Sequence, residues 1–116
     1  MHNPRQIETI RTLADTAERE SSRTVAERRR ILDAEEQRLE QLRRYLAEYG
    51  DLSSAKDGVF IDTIRTRRSF MARIQAGIEQ QEQLLASLRA QLENDLEHWR
   101  DARSHALALE KFDQRL

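Results

Sequence analysis

Three histidines and a scatter of carboxylates are the residues of this 116-residue chain with the most chemical reach. A metal or acid–base site needs such groups clustered on one face, in a cleft that excludes water. His98 and His105 are one heptad apart, too far to share an ion, and His2 is remote from both. Asp95, His98 and Asp101 follow at i, i+3 steps along one helical face, but only Asp95 falls on the apolar stripe described below. That spacing reads as a solvated helix surface rather than a metal site. Glu40 with Arg44 is an ordinary i, i+4 surface pair. No Gly-rich phosphate loop, nucleophile elbow or zinc signature occurs, and there is no Cys for a thiolate site or a disulfide. The residues therefore point to a protein that is not an enzyme and uses no cofactor, metal or small-molecule substrate.

The elements that carry these residues follow from composition and periodicity. Charged residues make up 35% of the chain and hydrophobic ones 38%, with only three Gly and one Pro. A turn-rich, two-layer fold needs more punctuation than that. The excess of Ala, Glu, Gln, Leu and Arg is that of a long helix or coiled coil. No apolar stretch reaches the length of a membrane span, and the N-terminus lacks a secretory pattern. Twenty cations against 21 acids leave a net charge of −1, which argues against a nucleic-acid partner.

Stepping by 3 and 4 from Ile64 gives Ile64, Arg67, Met71, Ile74, Ile78, Gln81, Leu85, Leu88, Leu92, Asp95, Trp99, Ala102, Ala106, Leu109 and Asp113. Eleven of these fifteen are apolar and the step never breaks, which identifies a coiled-coil seam. In the first half Ile7, Ile10, Ala14, Ala17 and Ser21 step likewise. Val25, Arg28, Leu32, Glu35, Leu39, Leu42, Leu46 and Tyr49 then continue after an extra step of four, which predicts a stutter near Ser21. The small residues there would admit a large side chain, Trp99, from the partner helix.

Gly50 follows the last seam residue and suits a helix stop. Ser53 or Ser54, with Asp57, suits the next N-cap, and Asn3 with Pro4 suits the first helix start. The predicted fold is all-α: one antiparallel two-helix coiled-coil hairpin over 1–116, with helices at about 4–49 and 55–114 and a hinge at about 50–54. Each arm would span roughly 70–90 Å at 1.5 Å per residue. With the turn near residue 54, Leu42 would face Arg67, Leu32 would face Ile78 and Ile10 would face Trp99. Leu107, Leu109, Phe112 and Leu116 would then project past the end of the first helix, as if awaiting an external partner.

Two surface features stand out. Residues 38–73 carry eight cations and five acids, a net of +3, and the remainder nets −4. This is either a solvated charged surface or a pair of opposite potentials steering two different partners. Arg65, Arg67 and Arg68 lack the aromatic array of a nucleic-acid site. Ile31 and Tyr45 on the first helix, and Phe70, Gly77 and Leu84 on the second, occupy columns beside the seam that usually carry charge. They either broaden the core or form an exposed docking strip.

Ala34-Glu35-Glu36-Gln37 followed by Leu39, Leu42, Tyr45 and Tyr49, then Phe70, Ile74, Ile78-Glu79-Gln80 and Trp99-Arg100, resembles the flagellar FliJ family over nearly the whole chain. The resemblance implies an antiparallel two-helix coiled coil, similar to the central stalk of rotary ATPases. It implies a cytoplasmic component of the type III export apparatus, peripherally associated with the inner membrane at the flagellar base. The partners it implies are the hexameric flagellar export ATPase, the cytoplasmic domain of the membrane export gate protein, and export chaperones. By the same resemblance Leu42, Tyr45, Tyr49, Phe70, Ile74 and Gly77 fall on gate-contacting positions, while Arg38 stands for a usual Gln and Gln81 for a usual His. The open end, with Ile7, Ile10, Leu109 and Phe112, is expected to meet the ATPase ring. The injectisome stalk proteins and a self-associating coiled-coil scaffold are the alternatives.

Overall fold

A computed structural model describes residues 3–54 and 61–115. It contains two helices, α1 (Pro4–Ser54) and α2 (Ile61–Arg115), and no strand among the described residues. Helix α1 starts as its sequence dictates. Asn3 Oδ1 accepts the Arg5 N–H at 3.1 Å, and the Asn3 carbonyl accepts from Gln6 and Ile7. Asn3 is thus the N-cap and Pro4, which has no N–H to leave unpaired, opens the first turn.

The described residues form two compact units. One takes those of Met1–Arg30 and Arg89–Leu116, the other those of Ile31–Leu88. In the first unit Arg11 pairs with Asp113, Glu18 with Trp99 and Arg28 with Asp95. In the second Glu35 meets Gln81, Tyr49 meets Phe70 and Gly50 approaches Met71. Numbers fall on α2 as they rise on α1, so each unit is an antiparallel helix pair, and the fold is a helical hairpin. The two numbers of every pair add to about 120.

That register corrects the expected one, in which facing residues add to about 109. Helix α1 does not stop at Gly50 but continues through Asp51, Leu52, Ser53 and Ser54. The expected hinge at 50–54 therefore lies inside α1. The expected start of the second helix at residue 55 and the Asp57 capping position lie outside the described residues. A glycine within a helix costs about 1 kcal/mol relative to Ala. The packing of Tyr49 on Phe70, with ring centroids 4.7 Å apart, offsets that cost. Trp99 is level with Ser21 and bonded to Glu18, not opposite Ile10. Leu107, Leu109 and Phe112 do not overhang, because Asp113 beyond them still pairs with Arg11.

The seam of α2 is as expected: every position from Arg67 to Asp113 is buried or half-buried, and only Ile64 is exposed. The seam of α1 is not. Its covered positions up to Tyr49 are 7, 11, 14, 18, 21, 25, 28, 32, 35, 39, 42, 46 and 49, an unbroken 4-3 alternation with no stutter, and the adjoining Gly50 is half-buried as well. Arg11 and Glu18 occupy the places expected of Ile10 and Ala17, which are exposed. A strict heptad keeps one face on the partner through a left-handed supercoil. Arg11 and Glu18 are tolerated there because each finds a partner on α2. Among the described residues the fully apolar core is small: Ile7, Ala14, Leu39, Ile74, Leu85 and Leu88 are buried, and only Leu85 falls below 2% exposure.

Candidate partner-binding surface

Among the described residues no group of three His, Cys, Asp or Glu side chains could hold a metal. Asp95, the seam member of the Asp95/His98/Asp101 face, accepts from Arg28 Nε at 2.9 Å, and Arg28 Nη1 also donates to Gln91. The hollows among the described residues are open to solvent. One of about 390 Å³, at Pro4, Glu8, Arg11, Thr12, Asp15 and Asp113, is lined mainly by charged or polar side chains.

Within the second unit, Tyr45, Tyr49 and Phe70 form one aromatic cluster. Tyr45 stands 5.8 Å from Tyr49 and 6.0 Å from Phe70, between ring centroids. Its members differ in burial. Tyr49 sits on the seam and Phe70 is half-buried against it, while Tyr45 remains 48% exposed. Tyr45 and Phe70 each precede a seam residue, and so do Ile31, Gly77 and Leu84. These five define one flank of the helix pair. Ile31 and Leu84 are exposed, and a Cβ built on Gly77 would meet nothing within 4 Å. The flank is therefore open apolar surface with a gap at its glycine. Leu42 and Ile74 lie on the seam itself, Ile74 buried, so they support this surface from beneath.

In the first unit the four residues expected at the open end also divide. Ile7 is buried and Leu109 half-buried on the seam; Ile10 and Phe112 are each 44% exposed. Ile10 and Phe112 directly precede the seam residues Arg11 and Asp113. Sequence reasoning placed Ile10 on the seam by its apolar character and so missed that it is surface. The unbroken heptad running back from Val25 is the signal that finds it.

No helix among the described residues is long and apolar enough to cross a membrane. Comparison with curated proteins and with solved structures returns no match. A family model, described as the flagellar FliJ protein, matches residues 3–116. With nearly the whole chain matched and its helices paired as a hairpin, the protein belongs to the flagellar FliJ family of protein-export components.

Proposed function

We propose that the protein is a non-enzymatic stalk that couples the hexameric flagellar export ATPase to the cytoplasmic domain of the membrane export gate, and that it assists export chaperones there. The observation that carries this reading is that each compact unit bears its own exposed apolar spot beside the seam. One is built on Tyr45, Phe70 and the gap at Gly77; the other on Ile10 and Phe112. Large apolar side chains left in water mark docking surfaces, and aromatic ones are the usual anchors. The first spot meets the gate and the second enters the ATPase ring.

Two pulldowns on purified components test this, with circular dichroism as the control for folding. Tyr45→Ala truncates an anchor whose ring is half in water, so helicity should persist. Loss of a hot-spot aromatic costs roughly 2 kcal/mol, about thirtyfold in gate affinity. ATPase binding should stay. The pair Ile10→Glu and Phe112→Glu should do the reverse. Gate binding unchanged by Tyr45→Ala removes the docking strip, and the same loss of both partners in either variant assigns these residues a structural role instead.

A further inference from the structure

The two flanks of the second unit are unlike. One consists of the residues one before and two after every second seam position, from Leu32 to Leu46 on α1 and from Ile64 to Leu85 on α2. Three of these fourteen are charged: Arg38, Glu48 and Arg73. The other flank consists of the residues one after and two before the seam positions in between, from Glu35 to Tyr49 and from Arg67 to Gln81. Eight of these twelve are charged. Two helices that pack only on each other carry charge on both flanks, because both flanks face water. The charge-poor flank instead holds Ile31 and Tyr45 on α1, and Phe70, Gly77 and Leu84 on α2, at heptad spacing, with Arg38 the one charge in these columns. Added to the seam, they widen the apolar stripe of each helix from roughly two positions in seven to three. That width belongs to a helix with two helical neighbours, as in a bundle. Among the described residues each helix of this unit has one.

We propose that the second neighbour is an amphipathic α-helix of the partner protein, laid along this flank to complete a three-helix bundle. The inference rests on the stalk reading for the identity of that partner, the gate. Phe70 to Leu84 spans about 21 Å, so about two heptads of helix cover the flank. An extended segment does not match it. Strand side chains recur about every 6.7 Å on one face, out of step with columns that repeat about every 10.5 Å. The polar backbone of a lone strand would also lie unpaired on hydrocarbon. The flank specifies the helix further. A large apolar side chain belongs level with Gly77, where a Cβ would meet nothing within 4 Å. Glu48 and Arg73, level at the register in which facing residues add to about 120, are exposed and have no ion pair among the described residues. They call for a cation on one edge of the helix and an acid on the other. Arg38, its side chain 70% exposed, pairs with Glu35 of its own helix at 3.4 Å and calls for a second acid on the edge shared with Glu48.

Overlapping synthetic peptides of about three heptads, tiling the gate's cytoplasmic domain, test this against the full chain by fluorescence anisotropy, with the intact gate domain alongside. One peptide should bind, and the Cα chemical shifts of its isotope-labelled form should move to helical values on binding. A proline at its centre should abolish the binding. Leu84→Glu in the chain should weaken it by roughly tenfold or more, and Arg73→Glu by roughly threefold. Arg68→Glu, exposed on the charged flank, should leave it unchanged, and circular dichroism should show every variant as helical as the parent. A bound peptide that stays extended overturns the inference. So does an intact gate domain that binds when no peptide does, or binding lost with Arg68→Glu and kept with Leu84→Glu. Self-association of the chain that Leu84→Glu abolishes makes the occupant a second copy and overturns it as well. A gate domain that does not bind the chain at all removes the stalk reading, and the inference with it.

Discussion

Leu84 and Leu85 are neighbours of the same type with opposite fates, and that contrast tests the register most sharply. Leu85 is 1% exposed on the seam of α2, where the register sets it level with Leu32, Glu35 and Leu39; Leu84 is 43% exposed on the flank. Leu85→Ala removes a side chain enclosed on all sides and leaves a cavity between two helices that have few other buried groups. The transfer and cavity terms together cost about 3 kcal/mol. An unfolding entropy of about 2.1 cal/mol/K per residue, summed over the chain, converts this to a fall in Tm of about 12 °C. Leu84→Ala leaves no cavity and forfeits only the buried half of its area, about 1 kcal/mol or about 4 °C. Thermal melts followed by far-UV circular dichroism, with urea titration to check that m is unchanged, give both numbers. Equal losses for the two variants, or the larger loss at Leu84, would mean that α2 presents a different face to α1, and the assignment of both flanks would fall with it.

The glycines offer a gain. Gly77→Ala meets open space and should raise stability by about 1 kcal/mol, read as a higher denaturation midpoint, while filling the gap that the gate-facing flank would use. Gly50→Ala sets a methyl 3.9 Å from Met71 Cε, an ordinary contact, and should stabilise by about 0.5–1 kcal/mol if α1 runs through this position; a loss would place a helix stop there after all. Asn3→Ala removes the cap on Arg5 and should cost about 1 kcal/mol, with amide exchange speeding up in the first turn of α1 before anywhere else. Phe70→Ala should destabilise more than Tyr45→Ala in the same melts, because Phe70 lies against Tyr49 on the seam.

The second helix was legible because its seam is written in apolar side chains almost throughout, so the 3-4 step and the burial coincide from Met71 onward. The first was harder because a heptad position is defined by geometry, not by residue type. Choosing the apolar neighbour at each step takes Ile10 over Arg11 and Ala17 over Glu18, and a spurious stutter follows. Nothing local to α1 shows that Arg11 and Glu18 have partners about a hundred and about eighty residues away. The hinge failed for a similar reason. Gly50 and the two serines after it carry every local mark of a boundary, and the packing of the preceding Tyr49 on Phe70 overrode them. The flanking aromatics could be read from sequence as lying beside the seam. How the burden divides among them, with Tyr49 and Phe70 packed and Tyr45 left in water, depended on a register the sequence did not reveal.

The polar pairs in the seam have a mechanical consequence. On α1 they fall at residues 11, 18, 28 and 35, met on α2 by 113, 99, 95 and 81. If one helix slid past the other by a heptad toward the C-terminus of α2, Glu18 would face Ala106, Arg28 would face Ala102 and Glu35 would face Leu88. In the other sense they would face Leu92, Leu88 and Ile74, and Arg11 would face Ala106. Either slip breaks these pairs and sets polar groups against hydrocarbon, a cost softened where the side chain reaches water, as Arg11 and Asp113 do. A purely leucine seam would offer nearly equal resting places one heptad apart, because a polar seam residue is what specifies register. Within each unit the pairs therefore act like a ratchet with a single tooth position, so an axial push on one helix of the pair is carried by the other instead of being lost to sliding.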